Sequence, residues 1–550
     1  MKIKINNKII ILICLFLGLN QFSYSQVSLE WNNIYNGIND SDDVGLSIDV
    51  DESGNTYSTG KSYSNDTEFD IETIKYDVGG NFIWSRTFNG TGNSDDIPVL
   101  LKIDRFGNIY IIGYSKGVNS YFDYVTIKYN VNGELLWVSR YNGTGNGYDL
   151  PTSVFIDSSG NSYVTGYSNN PFSDYATVKY DSNGVELWVA RYNGYIGYTE
   201  DLATSIAVDN SGNVYVTGTS FYDNITGYDY LTIKYNSDGQ QQWIRNFSGN
   251  GYYTRESANS IITDNSGNIY VTGSSSRSGI QTEFATIKYN AEGDVLWIRK
   301  IDGNSNTCFA QSVKLDNLGN IFVLGTALIT NNYSFMTVKY NTLGDLIWSS
   351  IYSGLASNIY AEPSDIDIDQ WGNVYVAGSE YGNSSLNDFV ILKYDQNGNE
   401  EWIVRYNGPE NSNDNLYSIK VDKNGFIYAT GKTYYSDTHF DFITLKYSQV
   451  LSINQITTSV PDKYSLSQNY PNPFNPTTNL EFGISELGFV SLKIYDGLGR
   501  EVQTLVNEQL APGTYNYQFS TINYPLSSGV YFYKLEAGSF VETKRMVLLK

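Results

Sequence analysis

The chain is nearly without histidine and cysteine, and this scarcity excludes several classes of chemistry. His439 is the only histidine among 550 residues, and the two cysteines are Cys14 and Cys308. A Ser/His/Asp triad cannot be assembled around this single histidine, and no HExxH, CxxC or glycine-rich phosphate loop occurs. Because Cys14 lies in the apolar N-terminal run, only Cys308 remains after processing, which excludes an intrachain disulfide. We expect no catalytic residues, no cofactor and no metal, and therefore a protein that is not an enzyme.

Positive charge is also in short supply. The chain has 35 Lys and Arg against 58 Asp and Glu, a formal net charge of −23. Residues 1–25 contribute three lysines and no acid, so the chain without them stands at −26. Such a charge disfavours nucleic acid and anionic membranes as partners. It permits cationic partners, divalent ions and neutral glycans, and its simplest interpretation is solubility.

The apolar run from Ile9 to Leu19 is too short to span a membrane comfortably. It follows a basic start and leads to Ser23-Tyr24-Ser25, a pattern typical of a secretory signal. We therefore predict a signal peptide over residues 1–25, cut between Ser25 and Gln26. A membrane anchor is the alternative. After processing we expect no transmembrane segment.

Aromatic residues are abundant, with 49 tyrosines, and three sequence elements recur eight times each. The first is Asp-x-x-Gly-Asn followed by an alternating strand, beginning at Asp51, Asp104, Asp157, Asp209, Asp264, Asp316, Asp369 and Asp422. In the eighth copy Phe426 replaces the Asn. The second element is an apolar residue followed by Lys-Tyr, with Lys75, Lys128, Lys179, Lys234, Lys288, Lys339, Lys393 and Lys446. The third is a strand centred on Trp31, Trp84, Trp137, Trp188, Trp243, Trp297, Trp348 or Trp402.

Successive copies lie 51 to 55 residues apart, a period typical of propellers and solenoids. Each period holds four strands, named a to d, which in the fourth copy are Ser205–Asp209, Asn213–Thr217, Asp229–Tyr235 and Gln241–Phe247. Four antiparallel strands are the make-up of a propeller blade. The sequence thus predicts an all-β fold in which residues 26–447 form an eight-bladed β-propeller of four-stranded blades. The lone d strand at Trp31 should complete the last blade and close the ring.

The length of the connections divides the ring into two faces. The a–b and c–d connections have constant lengths, whereas the b–c and d–a loops vary. Because strand direction alternates, the constant turns lie together on one face, the short-turn face, and all variation falls on the other, the variable face. The Asp of each a–b turn should cap backbone N–H groups. A calcium ladder is the alternative, although each turn offers a single carboxylate.

The variable loops have the composition of a binding surface, since Tyr combines rigid contact area with a polar tip. The alternative is that the whole chain is rich in Tyr. The eight lysines of strand c recur with the fold and should cover strand edges or pair with neighbouring acids. The candidate ligand-binding residues are Tyr148, Tyr195, Tyr198, Phe221, Tyr222, Tyr228, Tyr252, Tyr253, Arg255, Tyr360, Tyr434 and Tyr435.

A different composition begins after residue 447. Residues 448–463 lose the repeat pattern and are predicted to be a linker. Residues 464–550 open with the proline-rich stretch from Tyr470 to Thr478 and continue with alternating strands, including 513–520, 529–536 and 540–549. This pattern predicts a small Ig-like β-sandwich.

Two resemblances follow from these motifs. The repeats carry G-N-x-Y-V-T-G and D-Y-x-T-I-K-Y signatures and resemble the bacterial β-propeller repeat family. The resemblance implies no catalytic activity. The family's name implies seven blades, whereas this sequence has eight copies of the repeat. YPNPFNPTT, LKIYDGLGREV, PGTY, SGVYFYKLEAG and KRMVLLK resemble the type A C-terminal sorting domain of the type IX secretion system. That resemblance implies the secretion machinery as a partner and a place in the medium or on the outer-membrane surface of a Gram-negative bacterium. The sorting residues it implies are Pro471, Asn472, Pro473, Phe474, Asn475, Pro476, Gly529, Tyr531, Lys544 and Lys550.

We therefore expect a monomeric, secreted or surface-displayed propeller that binds a glycan or a protein. Two alternatives stay open. One is an extracellular polysaccharide lyase or hydrolase that uses loop Tyr and Asp, although adjacent acids such as Asp42-Asp43 are weak grounds for it. The other is a structural surface component without a small ligand.

Overall fold

The computed structural model describes residues 27–549 except 38, 170, 195–198, 224–226, 250–253, 279–280, 304–306, 330–331, 355–359, 383–385, 450–453, 458–459 and 522–525. Every regular element in this part of the chain is a β-strand. Strand β1 (Val27–Tyr35) comes first and belongs to the last blade.

The first four blades are antiparallel four-stranded sheets in chain order. Blade 1 contains β2 Asp43–Val50, β3 Thr56–Ser64, β4 Glu68–Tyr76 and β5 Phe82–Phe88. Blade 2 contains β6 Asp96–Ile103, β7 Ile109–Lys116, β8 Phe122–Tyr129 and β9 Leu135–Tyr141. Blade 3 contains β10 Asp149–Ile156, β11 Ser162–Asn169, β12 Ser173–Tyr180 and β13 Glu186–Tyr192. Blade 4 contains β14 Asp201–Val208, β15 Val214–Asp223, β16 Gly227–Tyr235 and β17 Gln241–Phe247, and the short β18 Thr254–Arg255 pairs with β16.

The other four blades repeat this arrangement. Blade 5 contains β19 Ser257–Thr263, β20 Ile269–Ser278, β21 Gln281–Tyr289 and β22 Val295–Ile301. Blade 6 contains β23 Cys308–Leu315, β24 Ile321–Ile329, β25 Asn332–Tyr340 and β26 Leu346–Tyr352. Blade 7 contains β27 Ala361–Ile368, β28 Val374–Tyr381, β29 Asn387–Tyr394 and β30 Glu400–Tyr406. Blade 8 contains β31 Asn415–Val421, β32 Ile427–Tyr435, β33 His439–Gln449 and, from the other end of the chain, β1.

The predicted ring closure is confirmed, because β1 pairs antiparallel with β33 as the outer strand of blade 8. Its register places Val27 opposite Gln449 and Trp31 opposite Lys446. A closed ring leaves no blade with a missing strand, which removes the free edge that an open array would expose.

The a strands start earlier than predicted, at Asp201 rather than Ser205 in blade 4, and contain a register shift between Ala203 and Ser205. They form the innermost layer, where each neighbours the a strand of the next blade. Apolar faces of adjacent blades pack together between them. In one such core Tyr163 and Tyr175 of blade 3 pack against Val216 and Ile233 of blade 4.

The a–b turns show the predicted capping chemistry. In the first copy the Asp51 Oδ1 atom accepts hydrogen bonds from the backbone N–H groups of Ser53 and Asn55, both at 2.9 Å. The Oδ2 atom accepts from the Asn55 amide at 2.8 Å and from the Tyr57 hydroxyl at 3.1 Å. Gly54 takes φ +83°, the left-handed conformation that closes the turn. The carboxylate is thus committed to the turn itself.

The eight c-strand lysines join neighbouring blades, which their recurrence alone did not reveal. The Lys128 ammonium group donates to the backbone carbonyl of Ser182 in the next blade at 2.9 Å, and it lies over the Tyr110 ring. The indole N–H of Trp137 donates to the same carbonyl at 3.1 Å. At five further interfaces a c–d carbonyl likewise receives a lysine and an indole from the preceding blade, whereas the Thr342 carbonyl receives Lys288 alone and the Trp297 indole makes no hydrogen bond to a described residue.

The last domain consists of two four-stranded sheets that enclose one apolar core. The first contains β34 Asn454–Thr457, β39 Gly513–Ser520, β36 Thr477–Ile484 and β35 Ser465–Leu466. The second contains β38 Glu501–Leu510, β37 Gly488–Tyr495, β40 Gly529–Ala537 and β41 Phe540–Leu548. Strand β34 lies inside residues 448–463, for which the sequence predicted a linker. Its backbone pairs with β39, so these residues add an edge strand to the sandwich.

Candidate functional site

The variable face carries aromatic side chains in four separate groups, in which Tyr121, Tyr148 and Tyr360 are exposed and the other rings are half-buried. The first group lies where the b–c loop of blade 2 meets the loop entering blade 3. The Tyr121 and Tyr148 rings stack with centroids 4.8 Å apart and planes inclined by 24°, and Phe122 packs 5.9 Å from Tyr148. Tyr121 is 56% exposed and Tyr148 is 43% exposed. The pair forms an accessible aromatic platform.

The second group lies on blade 4. The edges of Phe221 and Tyr228 meet with centroids 5.3 Å apart, and the Arg255 guanidinium lies 5.6 Å from the Tyr228 ring. Because β18 pairs with β16, Arg255 stands directly opposite Tyr228. The group therefore combines apolar ring surface with a cation.

The third group lies between blades 6 and 7. Tyr360 packs edge-on against Tyr333 with centroids 4.8 Å apart, and its hydroxyl donates to Glu362 at 3.1 Å. Burial raises the pKa of Tyr360 to about 12, and the Glu362 carboxylate adds to the shift. This tyrosine stays neutral and remains a hydrogen-bond donor at all physiological pH values.

The fourth group lies on blade 8, where Tyr434 meets Phe440 at 5.5 Å and the Lys432 ammonium group lies 3.8 Å above the Phe440 ring. Tyr435 is half-buried, and burial raises its pKa to about 12. His439 lies opposite Tyr435 at the end of the same hairpin.

Several predicted residues cannot be placed in these groups. Tyr195, Tyr198, Tyr252 and Tyr253 lie outside the described residues, as do Ser25, Gln26 and Lys550, and the side chain of Tyr222 is not described. The sequence did not predict Tyr121, Phe122, Tyr333, Lys432 and Phe440 as members of these groups. Tyr121 lies in a b–c loop and Tyr333 near the start of the c strand β25, so closeness to the b–c connection was the signal that could have found them.

A layer of buried carboxylates lies beneath the variable face, at the start of most a strands. Asp43 accepts from the backbone N–H of Gly37 at 2.5 Å, and Asp149 accepts from that of Gly143 at 2.7 Å. Burial raises the pKa of Asp43 and of Asp96 to about 6. These groups hold the d–a loops against the blade edges, and they are too enclosed to meet a substrate.

Glu72, on the c strand β4, is a further buried carboxyl with a raised pKa. Its side chain is fully buried in blade 1, and burial raises its pKa to about 7. The Thr87 hydroxyl donates to it at 2.6 Å. A perturbed carboxyl in a cleft would suggest catalysis, but this one faces the blade interior. In the described part of the chain, no three His, Cys, Asp or Glu side chains are grouped to hold a metal ion.

The central axis contains a cavity of about 540 Å³ that the sequence analysis did not predict. The a strands line it, and the turn residues Asn210 and Asn265 at its rim place it at the short-turn end of the ring. Serine side chains along these strands accept backbone hydrogen bonds from the next blade, as Ser47 accepts from Leu101 at 3.1 Å. The cavity lies on the face opposite the aromatic groups.

The proline-rich stretch of the last domain fastens its two sheets together. The Phe474 side chain is buried in the core, and its backbone exchanges hydrogen bonds with Val547 and Leu549 at 2.9 and 3.0 Å. The Asn472 side chain accepts from the Val547 N–H at 2.9 Å. Pro471, Pro473, Asn475 and Pro476 complete this stretch, Gly529 and Tyr531 lie on β40, and Lys544 on β41 pairs with Glu542 at 3.0 Å.

Comparison with known proteins supports both parts of the chain. Residues 137–173, 191–220 and 242–279 match the family model described as Beta-propeller repeat. Residues 468–549 match the model described as Secretion system C-terminal sorting domain. A WD repeat-containing protein of Acanthamoeba polyphaga mimivirus is 23% identical over 361 residues, which cover 46% of this chain and 25% of that protein. The chain thus spans a quarter of the length of this relative.

Solved structures with a similar arrangement include two propellers. The periplasmic gluconolactonase of Pseudomonas aeruginosa is 11% identical, with 66% of this chain and 95% of that chain covered and a TM-score of 0.42. The β-propeller domain of the Trilobed protease from Pyrococcus furiosus is 8% identical, with 66% and 100% covered and a TM-score of 0.39. Likenesses this distant carry no inference about activity.

Within the described residues, no helix has the length and apolarity that a membrane crossing requires. The match to a sorting domain indicates that the chain is exported. The chain thus contains β-propeller repeats and a type IX secretion sorting domain, and it is a secreted or cell-surface protein of a bacterium.

Proposed function

We propose that this protein is an extracellular carbohydrate-binding propeller, acting as a monomer at or beyond the outer membrane of a Gram-negative bacterium, with its ligand site on the variable face. The observation that carries the proposal is the exposed stack of Tyr121 on Tyr148. Sugar rings present apolar C–H faces to such platforms, while their hydroxyls bond to neighbouring polar groups.

The chemistry around the platform favours a neutral glycan over other ligands. A net charge of −26 after processing repels polyanions at long range. A protein partner would instead want a continuous apolar patch with a polar rim. The aromatic groups are separate around the face, and this spacing suits an extended chain that touches several blades.

The test is a neutral-oligosaccharide array probed with the purified chain, followed by calorimetric titration of each hit. We expect the double variant Tyr121→Ala/Tyr148→Ala to weaken binding at least tenfold, with an unchanged melting temperature because both rings are exposed. Phe106→Ala is the matched control, an exposed aromatic on the short-turn face. An array without hits, or binding lost in the control and kept in the double variant, would overturn the proposal, and protein capture in place of glycan binding would redirect it.

The alternative of a polysaccharide lyase or hydrolase gains no specific support from the described residues. The carboxyl groups whose pKa is raised are those of Asp43, Asp96 and Glu72. They are buried and already hydrogen-bonded to neighbouring groups of the protein. Reducing-end and unsaturated-product assays on each glycan that binds would detect either reaction.

A further inference from the structure

The residues that face the axis are not equivalent around the ring. One position of each a strand, two residues before the turn Asp, carries in blade order Asp49, Lys102, Phe155, Ala207, Ile262, Lys314, Asp367 and Lys420. In the five consecutive blades 6, 7, 8, 1 and 2, lysine and aspartate alternate at this position, and the first and last of the five carry lysine. Blades 3 to 5 are apolar at this position. At this position the axial cavity therefore has a charged sector and an apolar sector, and the turn residues Asp209, Asn210, Asp264 and Asn265 line its rim on the apolar side.

The aspartates of the charged sector already have hydrogen-bond or ion-pair partners within the protein. Asp49 accepts from the backbone N–H of Ile103 at 3.1 Å, and Asp367 accepts from that of Val421 at 2.9 Å. Asp367 also pairs with Lys420 at 3.4 Å. These carboxylates join adjacent blades, in the same way as the serines nearby.

The two end lysines are different. Among the described residues, the ammonium groups of Lys102 and Lys314 have no hydrogen-bond acceptor within 3.5 Å and no carboxylate within 4.0 Å. Both line the cavity, and Lys102 is exposed to it. Because the cavity is enclosed by the ring, burial lowers the pKa of Lys102, and the nearby Asp49 carboxylate opposes this shift. Two ammonium groups thus flank the apolar sector from opposite blades of the ring.

We propose that the axial cavity binds a small organic carboxylate with an apolar body. The body would lie against Phe155, Ala207 and Ile262, and the carboxylate would accept from Lys102 or Lys314. A cavity of about 540 Å³ is in the range that holds small ligands. The acids in the sector discriminate against polyanions, so a single carboxylate fits best. This site is on the short-turn face and is independent of the glycan site proposed above.

The experiment uses the purified full chain in equilibrium dialysis with three fluorescent probes of one shape, 1-naphthoate, 1-naphthalenemethanol and 1-naphthylmethylammonium. We expect 1-naphthoate to bind at least tenfold more tightly than the alcohol and the ammonium probe to bind least. The double variant Lys102→Met/Lys314→Met should abolish the preference for the anion, whereas Lys116→Met, an exposed lysine on another strand, should preserve it.

Phe155→Ser provides the second arm, because it should weaken 1-naphthoate and the alcohol together while preserving their ratio. Circular dichroism and melting temperature report whether each variant folds, and the single variant Lys102→Met replaces the double variant if the latter does not. No binding of 1-naphthoate, equal binding of the three probes, or an anion preference that survives the lysine variants would overturn the proposal. None of these outcomes bears on the glycan array.

Discussion

Gln449 and Lys393 are joined across the interface between blades 7 and 8, where the Gln449 Oε1 atom accepts from the Lys393 ammonium group at 3.0 Å. The same oxygen accepts from the Trp402 indole at 3.3 Å. At the other interfaces a backbone carbonyl of a c–d turn accepts from the equivalent lysine. Blade 8 has no such turn, because its c and d strands come from opposite ends of the chain. A side-chain amide therefore replaces the missing carbonyl.

The first prediction concerns this replacement. Gln449→Ala should lower the free energy of unfolding by about 1–3 kcal/mol, because it leaves the buried Trp402 indole without its acceptor and the Lys393 ammonium group with Glu401 alone. Gln449 also donates to the Tyr375 hydroxyl at 2.6 Å and to the Gly425 carbonyl at 2.9 Å, and both bonds would be lost. Urea denaturation measures the change.

Ser182→Ala is the matched control for that experiment. Its backbone carbonyl receives Lys128 and Trp137 in the equivalent contact, and its side chain is not involved. The control should unfold within about 0.5 kcal/mol of the wild type, as surface substitutions usually do. Equal losses in both variants would show that the amide has no special role.

The second prediction concerns pH and Glu72, whose folded pKa is raised to about 7 by burial. A raised folded pKa means that the folded state holds a proton which the unfolded state has released. The stability from this group is fully present below its ordinary pKa of 4.5 and is lost as pH rises through about 7. The Glu72→Gln side chain cannot ionise. Its free energy of unfolding, relative to that of the wild type, should therefore rise by about 1–2 kcal/mol between pH 5 and pH 8.

Urea denaturation at several pH values checks this prediction, with Asp238→Asn, an exposed turn carboxylate, as the control. The difference in unfolding free energy between the control and the wild type should not change with pH. If the difference in unfolding free energy between Glu72→Gln and the wild type also stays constant with pH, the buried carboxyl does not titrate between pH 5 and pH 8.

The third prediction concerns export. Deleting residues 451–550 removes every strand of the sorting domain, including β34, and keeps Gln449. The propeller should then accumulate in the periplasm, because the part recognised by the secretion machinery is gone. Immunoblotting of periplasm and medium measures the distribution. Recovery of the truncated chain from the medium at the full-length rate would contradict a sorting role.

The repeats made the fold predictable, because in every copy the same residues, a capping Asp and a Gly with positive φ, form the a–b turn, as in Asp51 to Asn55. The sequence predicted the partner of the Trp31 strand by counting alone. The prediction that Leu29, Trp31 and Ile34 all pack into the last blade is wrong for two of them, since Leu29 and Ile34 are exposed and Trp31 packs against Tyr76. Alternation gives two faces to a strand but does not say which one meets the next blade.

The axial residues show a second limit of the sequence. Lys102 and Lys314 lie far apart in the chain and belong to blades on opposite sides of the ring, so only closure brings them to one cavity. Gln449 likewise lies beyond the last recognisable repeat element. Repeat patterns reveal what the copies share, and both features depend on positions where the copies differ.

The register of β1 on β33 also sets the direction in which the ring is presented. Val27 and Gln449 are partners at the short-turn end of blade 8, so both ends of the propeller chain leave through that face. A ring held at the cell surface by its C-terminal side would therefore turn its aromatic loops toward the surroundings and its axial cavity toward the cell.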